Sequence, residues 1–351
     1  MASPILQVRD LRTQFATHDG IVRAVDGVSF DLYPGESLGI VGESGSGKSI
    51  TALSILRLVP EPGRIVSGKV LFRNEDLLQV SGDEIRDIRG RDLAMIFQDP
   101  QSSLNPVLKT GFQIDEAMLA HGKHTKSEAH SRTVDLLKKV RIPAPESRSK
   151  DFPHQLSGGM RQRAMIAMGL VNAPSILIAD EPTTALDVTV QAQILELLAD
   201  LNRELGTAIV MITHNMGVVA GLCSRVLVMY AGQIVEQGPV EQIFENPQHP
   251  YTWSLLRSIP RIDALRHERL RSIEGIAPDL LHPPSGCRFH PRCPFRLEKC
   301  FTDEPELKEV APDQVAACWV TMERARREMK ADELVDIRPG AGSGVHPGEV
   351  A

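Results

Sequence analysis

The segment GESGSGKS at Gly42–Ser49 constrains the fold of this chain more than any other part of its sequence. It fits the pattern G-x4-G-K-[ST], a glycine-rich loop that binds phosphate groups between a strand and a helix. An apolar run at Ser37–Val41 precedes the loop, and a helical pattern follows it from Ser49 to about Leu58. This order predicts a strand, a loop and a helix in succession. A flexible Gly/Ser turn would not need a strand before it and a helix after it. The sequence therefore predicts a P-loop nucleotide site in an α/β fold.

The chemistry of the loop explains its residue types. Glycines let successive backbone N–H groups point into one concavity, and the N-terminus of the following helix adds partial positive charge. Lys48 is expected to reach the β- and γ-phosphates of ATP, and the Ser49 hydroxyl is expected to ligate Mg²⁺. The predicted nucleotide-binding residues of the loop are Gly42, Glu43, Ser44, Gly45, Ser46, Gly47, Lys48 and Ser49.

A pair of acidic residues later in the chain indicates which reaction the nucleotide site performs. The apolar run Ile176–Ala179 is a predicted buried strand, and Asp180 and Glu181 follow it directly. Taken alone, an acidic pair after an apolar run often marks only the place where a strand ends at a surface turn. Beside a P-loop, Asp180 is expected to lie at the Mg²⁺ and Glu181 one step beyond it, where it can orient or deprotonate the attacking water. The two motifs together indicate nucleotide hydrolysis.

Composition limits the possible partners. The chain has 351 residues, enough for two or three structural units, and 42% of them are hydrophobic. Its formal net charge of −6 argues against a surface that binds nucleic acid. The N-terminus shows no secretory signal, and the longest apolar stretches are too short to cross a bilayer. We expect a soluble protein that meets a membrane only through another protein.

The order of predicted elements gives the domain organisation. Residues 5–33 indicate short strands separated by turns at His18–Gly20 and Asp26–Gly27, which would form an N-terminal β subdomain. Residues from about 99 to 155 carry apolar spacing typical of helices and are expected to form an inserted helical subdomain. After Ser157, strands alternate with helices, which predicts a mostly parallel sheet covered on both faces. The expected units are a cassette at 1–238, a cysteine-bearing C-terminal extension at 239–331 and a flexible tail at 332–351.

The segment LSGGMRQR at Leu156–Arg163 resembles the signature of the ABC ATPases. Read locally, it is a serine N-cap followed by glycines that open a helix. The resemblance implies more: this helix N-terminus would face the γ-phosphate bound by the opposite subunit of a dimer. The residues that the resemblance assigns to this contact are Ser157, Gly158, Gly159 and Gln162.

Other positions resemble the remaining elements of the same family, and they occur in its order. By resemblance, Gln98 links Mg²⁺ and the attacking water to the helical insert, and Asp187 lies in a loop that crosses the dimer interface. His214 resembles the histidine that contacts the γ-phosphate. Phe15 fits the aromatic residue that stacks on adenine, although a phenylalanine on an amphipathic strand fits a core position equally well.

Three longer stretches resemble the ATP-binding subunits of dipeptide and oligopeptide permeases: Asp180–Gln193, Asn246–Thr252 and Pro284–Pro294. Within that family the chain is more similar to the D-type subunit than to the F-type. The resemblance implies import of peptides, or of related solutes such as nickel chelates. It also implies two permease subunits, a second ATPase (F-type or a second copy), an extracytoplasmic solute-binding protein, and a peripheral location on the cytoplasmic face of the membrane. The alternative is a non-transport ABC ATPase that acts on nucleic acid or ribosomes.

Four of the five cysteines lie close together in the sequence, at Cys287, Cys293, Cys300 and Cys318. A reducing cytosol disfavours disulfides, and the short C-x2-4-C spacing typical of structural zinc is missing. A [4Fe–4S] cluster also takes four thiolates, and Cys293-Pro294 is similar to the Cys-Pro of ferredoxin-type loops. Related permease ATPases carry such a cluster here, so we expect a [4Fe–4S] cluster, with Zn²⁺ or unmetallated packing cysteines as alternatives.

Overall fold

The computed structural model describes residues 3–99, 103–122, 124–184, 186–259 and 273–328. The predicted tail at 332–351 lies outside these residues. In chain order the strands are β1 (Leu6–Thr17), β2 (Gly20–Leu32), β3 (Ser37–Val41), β4 (Gly63–Phe72), β5 (Glu75–Asp76), β6 (Leu93–Ile96), β7 (Ile176–Asp180), β8 (Ala208–Thr213), β9 (Arg225–Tyr230), β10 (Gln233–Pro239), β11 (Lys308–Ala311) and β12 (Gln314–Ala316).

The helices are α1 (Lys48–Ile55), α2 (Gly82–Ile88), α3 (Thr110–Leu119), α4 (Lys126–Lys139), α5 (Pro145–Arg148), α6 (Gly158–Leu170), α7 (Val188–Leu205), α8 (Met216–Leu222), α9 (Val240–Glu245), α10 (Pro250–Arg257), α11 (Lys299–Thr302) and α12 (Met322–Glu328). A 3₁₀ turn at Pro153–Gln155 precedes α6. Within the described residues, no helix is both long and apolar enough to span a membrane.

The larger sheet has the strand order β11-β12-β10-β9-β3-β8-β7-β6. Strands β9, β3, β8, β7 and β6 are parallel, and β10 to β12 extend one edge as antiparallel strands. Alternating residues of β3 enter different cores: Leu38 and Ile40 pack toward the N-terminal sheet, whereas Val41 packs on the opposite face. Burial on both faces is typical of parallel sheets, and the predicted architecture is confirmed.

The second sheet is antiparallel, with the order β2-β1-β4-β5. The turn at His18–Gly20 joins β1 to β2 as predicted, but the predicted turn at Asp26–Gly27 is wrong because β2 continues through it. Pairing between β1 and β2 shifts register beside this point, between Leu11 and Arg12 and again between Thr13 and Gln14. Gly27 takes a φ of 83°, and such an irregularity bends a strand without ending it. The Asp26 carboxylate is thereby turned into ion pairs with Arg12 and Arg288.

The helical insert consists of α3 and α4 packed against α6. Helix α4 begins with a capping box, in which the Thr125 hydroxyl accepts from the Glu128 N–H and the Glu128 carboxylate accepts from the Thr125 N–H. Ile114, Met118 and Leu137 are buried where these helices meet. The insert lies between β6 and β7 in the chain, and it begins shortly after Gln98, which follows the carboxyl end of β6.

The C-terminal extension is built onto the larger sheet. Strand β12 pairs with β10, opposite Glu236 and Gln237. Phe289 of the extension is 1% exposed, and its ring centroid lies 5.2 Å from that of Tyr230 and 5.4 Å from that of Tyr251. The expected boundary between residues 238 and 239 therefore falls inside β10, a strand that belongs to both parts.

Candidate functional site: a nucleotide site at the ends of β3 and β7

The glycine-rich loop leaves the carboxyl end of β3 and enters α1, as predicted. Two of its glycines have conformations and surroundings that exclude a side chain. A Cβ on Gly42 would lie 2.2 Å from the Met229 carbonyl oxygen, and a Cβ on Gly47 would lie 2.4 Å from the Ala24 carbonyl oxygen. Their φ angles are 156° and 100°, values that L side chains rarely adopt. The loop is therefore packed on one side against strands and left open on the other.

Lys48 lies within this loop and is 5% exposed. Its Nζ donates to the carbonyl oxygens of Gly42 and Glu43, both at 2.8 Å, and to the Ser46 hydroxyl at 3.3 Å. Burial lowers the pKa of Lys48, and the nearby Glu181 and Asp180 partly oppose that shift. The ammonium group is thus held at the loop by weak acceptors that phosphate oxygens can replace.

Ser49 and Asp180 bring the loop and β7 together. The Ser49 hydroxyl donates to Oδ1 of Asp180 at 3.0 Å, although 131 residues separate them in the chain. Burial raises the pKa of Asp180, while the Ser49 hydrogen bond and the Lys48 charge act in the opposite direction. A hydroxyl and a carboxylate at this separation are oxygen donors of the type that Mg²⁺ prefers, so the residues present fit the predicted ion.

Glu181 is the most heavily bonded acid of the site. Its Oε2 accepts from the Gln98 amide at 3.1 Å and from the Thr184 hydroxyl at 2.8 Å, and its Oε1 lies 3.0 Å from Nδ1 of His214. Burial alone would raise the pKa of Glu181, but the hydrogen bonds from His214 and Thr184 outweigh it, so this pKa is lowered. The carboxylate form is favoured, and its oxygens are fixed in place by three separate segments.

The backbone at Glu181 is unusual for a residue with a side chain. Its φ is 45°, in the left-handed region, and its N–H donates to the Ile212 carbonyl oxygen of β8 at 2.9 Å. Such a conformation costs free energy on the order of 1 kcal/mol in a non-glycine residue and persists only where the surroundings enforce it. Here it turns the Glu181 carboxylate toward Gln98 and His214 at the carboxyl edge of the sheet.

The predicted signature lies apart from this cluster within the single chain. The exposed Ser157 caps α6, its hydroxyl accepting from the Met160 N–H at 3.3 Å. Gly158 and Gly159 form the first turn, and Gln162 is buried behind them. In the described part of the chain, neither Ser157 nor Asp187 hydrogen bonds to the Lys48–Glu181 cluster. Asp187 instead caps α7 by accepting from the Val190 N–H at 2.9 Å.

Phe15 occupies a half-buried position on β1, opposite Val22 of β2 and Gly63 of β4. A Cβ on Gly63 would come within 2.6 Å of the Phe15 ring, so the ring lies over that glycine. This placement leaves part of the ring accessible, and stacking of Phe15 on adenine stays a prediction.

Three residues of this site were not among those predicted. Thr184 follows the acidic pair and bonds to Glu181 as described above. Tyr251 and Arg292 both contact Glu43 in the phosphate-binding loop from the C-terminal part of the chain. No local sequence pattern predicts the contacts of Tyr251 and Arg292, because 208 and 249 residues separate them from Glu43.

The four cysteines of the extension lie near one another, because the pKa of Cys318 is raised first by burial and further by Cys287, Cys293 and Cys300. Burial raises the pKa of Cys287 to about 11 and those of Cys293 and Cys318 to about 12. Among the described residues, however, no group of three or more His, Cys, Asp or Glu side chains is placed to hold a metal ion. Zinc needs its four sulfurs around one point. The described residues therefore show no Zn²⁺ site, and they do not show the predicted [4Fe–4S] cluster either.

Comparison with known proteins agrees with this site. Residues 25–184 match the family described as ABC transporter, and residues 235–300 match the one described as oligopeptide/dipeptide transporter, C-terminal region. The chain is 50% identical to the oligopeptide transport ATP-binding protein OppD of Bacillus subtilis, over 90% of this chain and 88% of that protein. The chain belongs to the oligopeptide/dipeptide family of ABC transporter ATP-binding subunits. It is accordingly the ATP-hydrolysing subunit of an ABC importer, and the alternative of a non-transport ABC ATPase is disfavoured.

Other members and structures of the ABC family give the same result. The chain is 48% identical to the dipeptide transport ATP-binding protein DppD of Bacillus subtilis, over 95% of this chain and 99% of that protein. It is 52% identical to a probable peptide ABC transporter ATP-binding protein of Sinorhizobium fredii, over 91% and 95% of the two chains. The dimeric structure of the bacterial ABC transporter cassette MJ0796 superposes with a TM-score of 0.61 at 29% identity, covering 67% of this chain and 98% of that one.

Proposed function

We propose that this ATPase powers the import of dipeptides or oligopeptides through two integral-membrane permease subunits. The names of the relatives support the solute class, and related solutes such as nickel chelates are the alternative within the same transporter family. The observation that carries the proposal is the Glu181 carboxylate. It is held by Gln98, Thr184 and His214 beside the Ser49–Asp180 pair, as hydrolysis of a bound nucleotide requires.

The proposed roles follow from these contacts. Lys48 and the N–H groups of the phosphate-binding loop hold the β- and γ-phosphates. Ser49, Asp180 and Gln98 hold Mg²⁺, which when bound offsets phosphate charge. Glu181 accepts the proton of the attacking water, because its carboxylate form is favoured and its orientation is fixed. His214 orients Glu181 and approaches the γ-phosphate, and Phe15 stacks on adenine.

The second half of each ATP site is proposed to come from a partner ATPase, either an F-type subunit or a second copy. Support comes from Ser157, which is exposed at the N-terminus of α6 and makes no contact with its own phosphate-binding loop in the described structure. The N–H groups of Gly158 and Gly159 and the helix dipole then act on a γ-phosphate bound by the partner, with Gln162 buried beneath them. Asp187, capping α7, is proposed to lie at the same interface.

We further propose a division into a cassette (1–238, with a helical insert at about 99–155), an extension (239–331) and a tail (332–351). The insert is the proposed contact for the permeases, since it adjoins the loop of Gln98. The extracytoplasmic solute-binding protein delivers the solute from the opposite side, which requires the ATPase to lie on the cytoplasmic face of the membrane.

For the extension, we propose an iron–sulfur cluster bound by its four cysteines. Thiols that do not converge on a single ion can still bind a [4Fe–4S] cluster, because each thiolate binds a different iron atom. Backbone N–H groups approach two of the sulfurs, Leu297 N to Cys300 Sγ at 3.4 Å and Val320 N to Cys318 Sγ at 3.3 Å. Hydrogen bonds to sulfur are typical of ligating thiolates. Iron and sulfide analysis of anaerobically purified protein tests this, and a colourless, iron-free preparation contradicts it.

The transport proposal is tested by reconstitution. The chain is co-expressed with its permeases and partner ATPase in proteoliposomes, and ATP hydrolysis is measured with the solute-binding protein loaded with a panel of peptides. Peptide-dependent stimulation of hydrolysis, with uptake of labelled peptide, is expected. Stimulation by a nickel chelate and by no peptide would contradict the peptide assignment and leave the ATPase assignment standing.

A further inference from the structure

The C-terminal extension reaches the phosphate-binding loop through one side chain. The Arg292 guanidinium donates from one terminal nitrogen to Oε2 of Glu43 at 2.6 Å and from the other to Oε1 at 3.0 Å. This forked pairing fixes orientation as well as charge. The Arg292 side chain is only 4% exposed, whereas that of Glu43 is 28% exposed. The arginine is thus buried in the extension and forms a two-point ion pair with a residue of the loop that is proposed to bind ATP.

A second contact holds the backbone of the same loop residue. The Glu43 N–H donates to the Tyr251 hydroxyl at 2.8 Å, and the Glu43 carbonyl oxygen accepts from Lys48 Nζ at 2.8 Å. The Glu43 N–H therefore points toward Tyr251. Both the side chain and the main chain of Glu43 are held by residues that follow the cassette in sequence.

Arg292 is itself fixed from several directions. Its Nε donates to the Glu274 carbonyl oxygen at 3.0 Å and a terminal nitrogen donates to the Ile273 carbonyl oxygen at 3.3 Å. Its guanidinium carbon lies 5.8 Å from the ring centroid of Tyr230, whose hydroxyl accepts at 3.3 Å. A guanidinium with this many partners has little freedom left to lose when the loop binds a ligand.

The charges explain why this contact matters for nucleotide binding. Polyphosphate carries several negative charges, and an unpaired Glu43 carboxylate in the loop that cradles it would repel them. Arg292 pairs with Glu43 through both carboxylate oxygens and so offsets this charge. Breaking the pair would leave a partly buried carboxylate without a partner, which is more costly than losing a surface ion pair.

We infer that Arg292 is a positioning residue for ATP binding, which acts by neutralising and orienting Glu43 and so makes the extension a working part of the nucleotide site. Tyr251 supports the same loop residue through its backbone. The inference rests on the proposed nucleotide site at Gly42–Ser49. It assigns to the extension a function in nucleotide affinity that is separate from any metal its cysteines hold.

The test is the nucleotide affinity of Arg292→Met, measured by calorimetry on the full chain and as KM for ATP in the assembled transporter. The Kd and KM are expected to rise about tenfold, with kcat within about twofold, because ground state and transition state lose the same interaction. Arg296→Ala is the matched control, since Arg296 lies in the same segment but contacts the Cys293 carbonyl oxygen and not the loop. It should leave Kd unchanged.

A double-mutant cycle shows whether the effect passes through Glu43. In a Glu43→Gln background, Arg292→Met is expected to change Kd by less than about threefold, because the charge to be offset is gone. An equal loss in both backgrounds, or unchanged affinity in a folded Arg292→Met variant, overturns the inference. If Arg292→Met does not fold, Tyr251→Phe decides instead: a rise in Kd of about threefold supports the inference and an unchanged Kd overturns it. A wild-type chain that bound no ATP would contradict the proposed function itself.

Discussion

Nδ1 of His214 lies 3.0 Å from Oε1 of Glu181, at the ends of two neighbouring strands of the larger sheet. The two residues are 33 positions apart, and each follows its strand at the same edge. Because parallel strands present their carboxyl ends together, this edge collects the residues that act on a ligand. His214 thus holds Oε1 of the proposed base, whereas Gln98 holds Oε2.

Replacing His214 by alanine should slow hydrolysis without abolishing ATP binding. The variant removes one of the three partners that fix Glu181, so the base is expected to lose orientation and kcat to fall by about tenfold to a hundredfold. The measurement is steady-state hydrolysis by the assembled transporter, together with ATP affinity of the isolated chain. His18→Ala is the control, because the His18 side chain is fully exposed in the β1–β2 turn. A wild-type kcat in His214→Ala would contradict the proposed role.

Alanine variants of two helix N-caps, one serine and one threonine, can distinguish a structural role from a functional one. Ser157 and Thr125 both accept a backbone hydrogen bond at the N-terminus of a helix, at 3.3 Å in each case. Alanine at either position should lower the free energy of unfolding by about 1 kcal/mol. Only Ser157→Ala is expected to reduce hydrolysis in the assembled pair, because its helix is proposed to face the partner's γ-phosphate. Equal hydrolysis by the two variants would remove the signature from the site.

A pH dependence of stability follows from His249. Burial lowers the pKa of this fully buried imidazole to about 3, and its Nδ1 accepts from the Tyr251 N–H at 3.0 Å, which requires the neutral form. The unfolded chain binds the proton near pH 6.5 while the folded chain does not. The resulting stability is therefore complete above about pH 6.5 and is lost as the pH falls toward 3, by at most about 1.4 kcal/mol per pH unit.

Chemical denaturation between pH 4 and pH 8 measures this dependence. Asparagine can place an oxygen where Nδ1 lies, so His249→Asn should keep the cap of α10 while flattening the acid slope of the unfolding free energy. His18→Asn, at an exposed site, should retain the wild-type slope. An unchanged slope in His249→Asn would show that other groups cause the acid sensitivity.

The sequence predicted those parts of the fold and site that depend on local pattern. The loop at Gly42–Ser49, the acids after β7 and the serine cap at Ser157 each carry their chemistry in consecutive residues. The predicted turn at Asp26–Gly27 was wrong because a local pattern does not show long-range contacts. The dipeptide is typical of turns, but β2 continues through it. Here β2 pairs with β1, and the Asp26 carboxylate forms ion pairs with Arg12 and Arg288.

Long-range contacts explain what the sequence did not reveal. Arg292 directly precedes Cys293 in the sequence, and no neighbouring residue indicates that its partner is Glu43. Its contact with Glu43 depends on how Phe289 packs against Tyr230 and Tyr251, which no periodicity encodes. The spacing of the cysteines likewise predicts that they cluster, but it does not determine whether their sulfurs converge.

The most direct test of the account is the Glu181→Gln variant, assembled with its partner and permeases and studied under single-turnover conditions with ATP and Mg²⁺. An amide cannot accept the proton of the attacking water, so the hydrolysis rate should fall at least about a hundredfold. ATP affinity should be retained, and the two ATPase subunits should stay associated around unhydrolysed ATP. Glu204→Gln, an exposed glutamate near the end of α7, is the control and should hydrolyse normally. Hydrolysis by Glu181→Gln at the wild-type rate would contradict the assignment of Glu181 as the base.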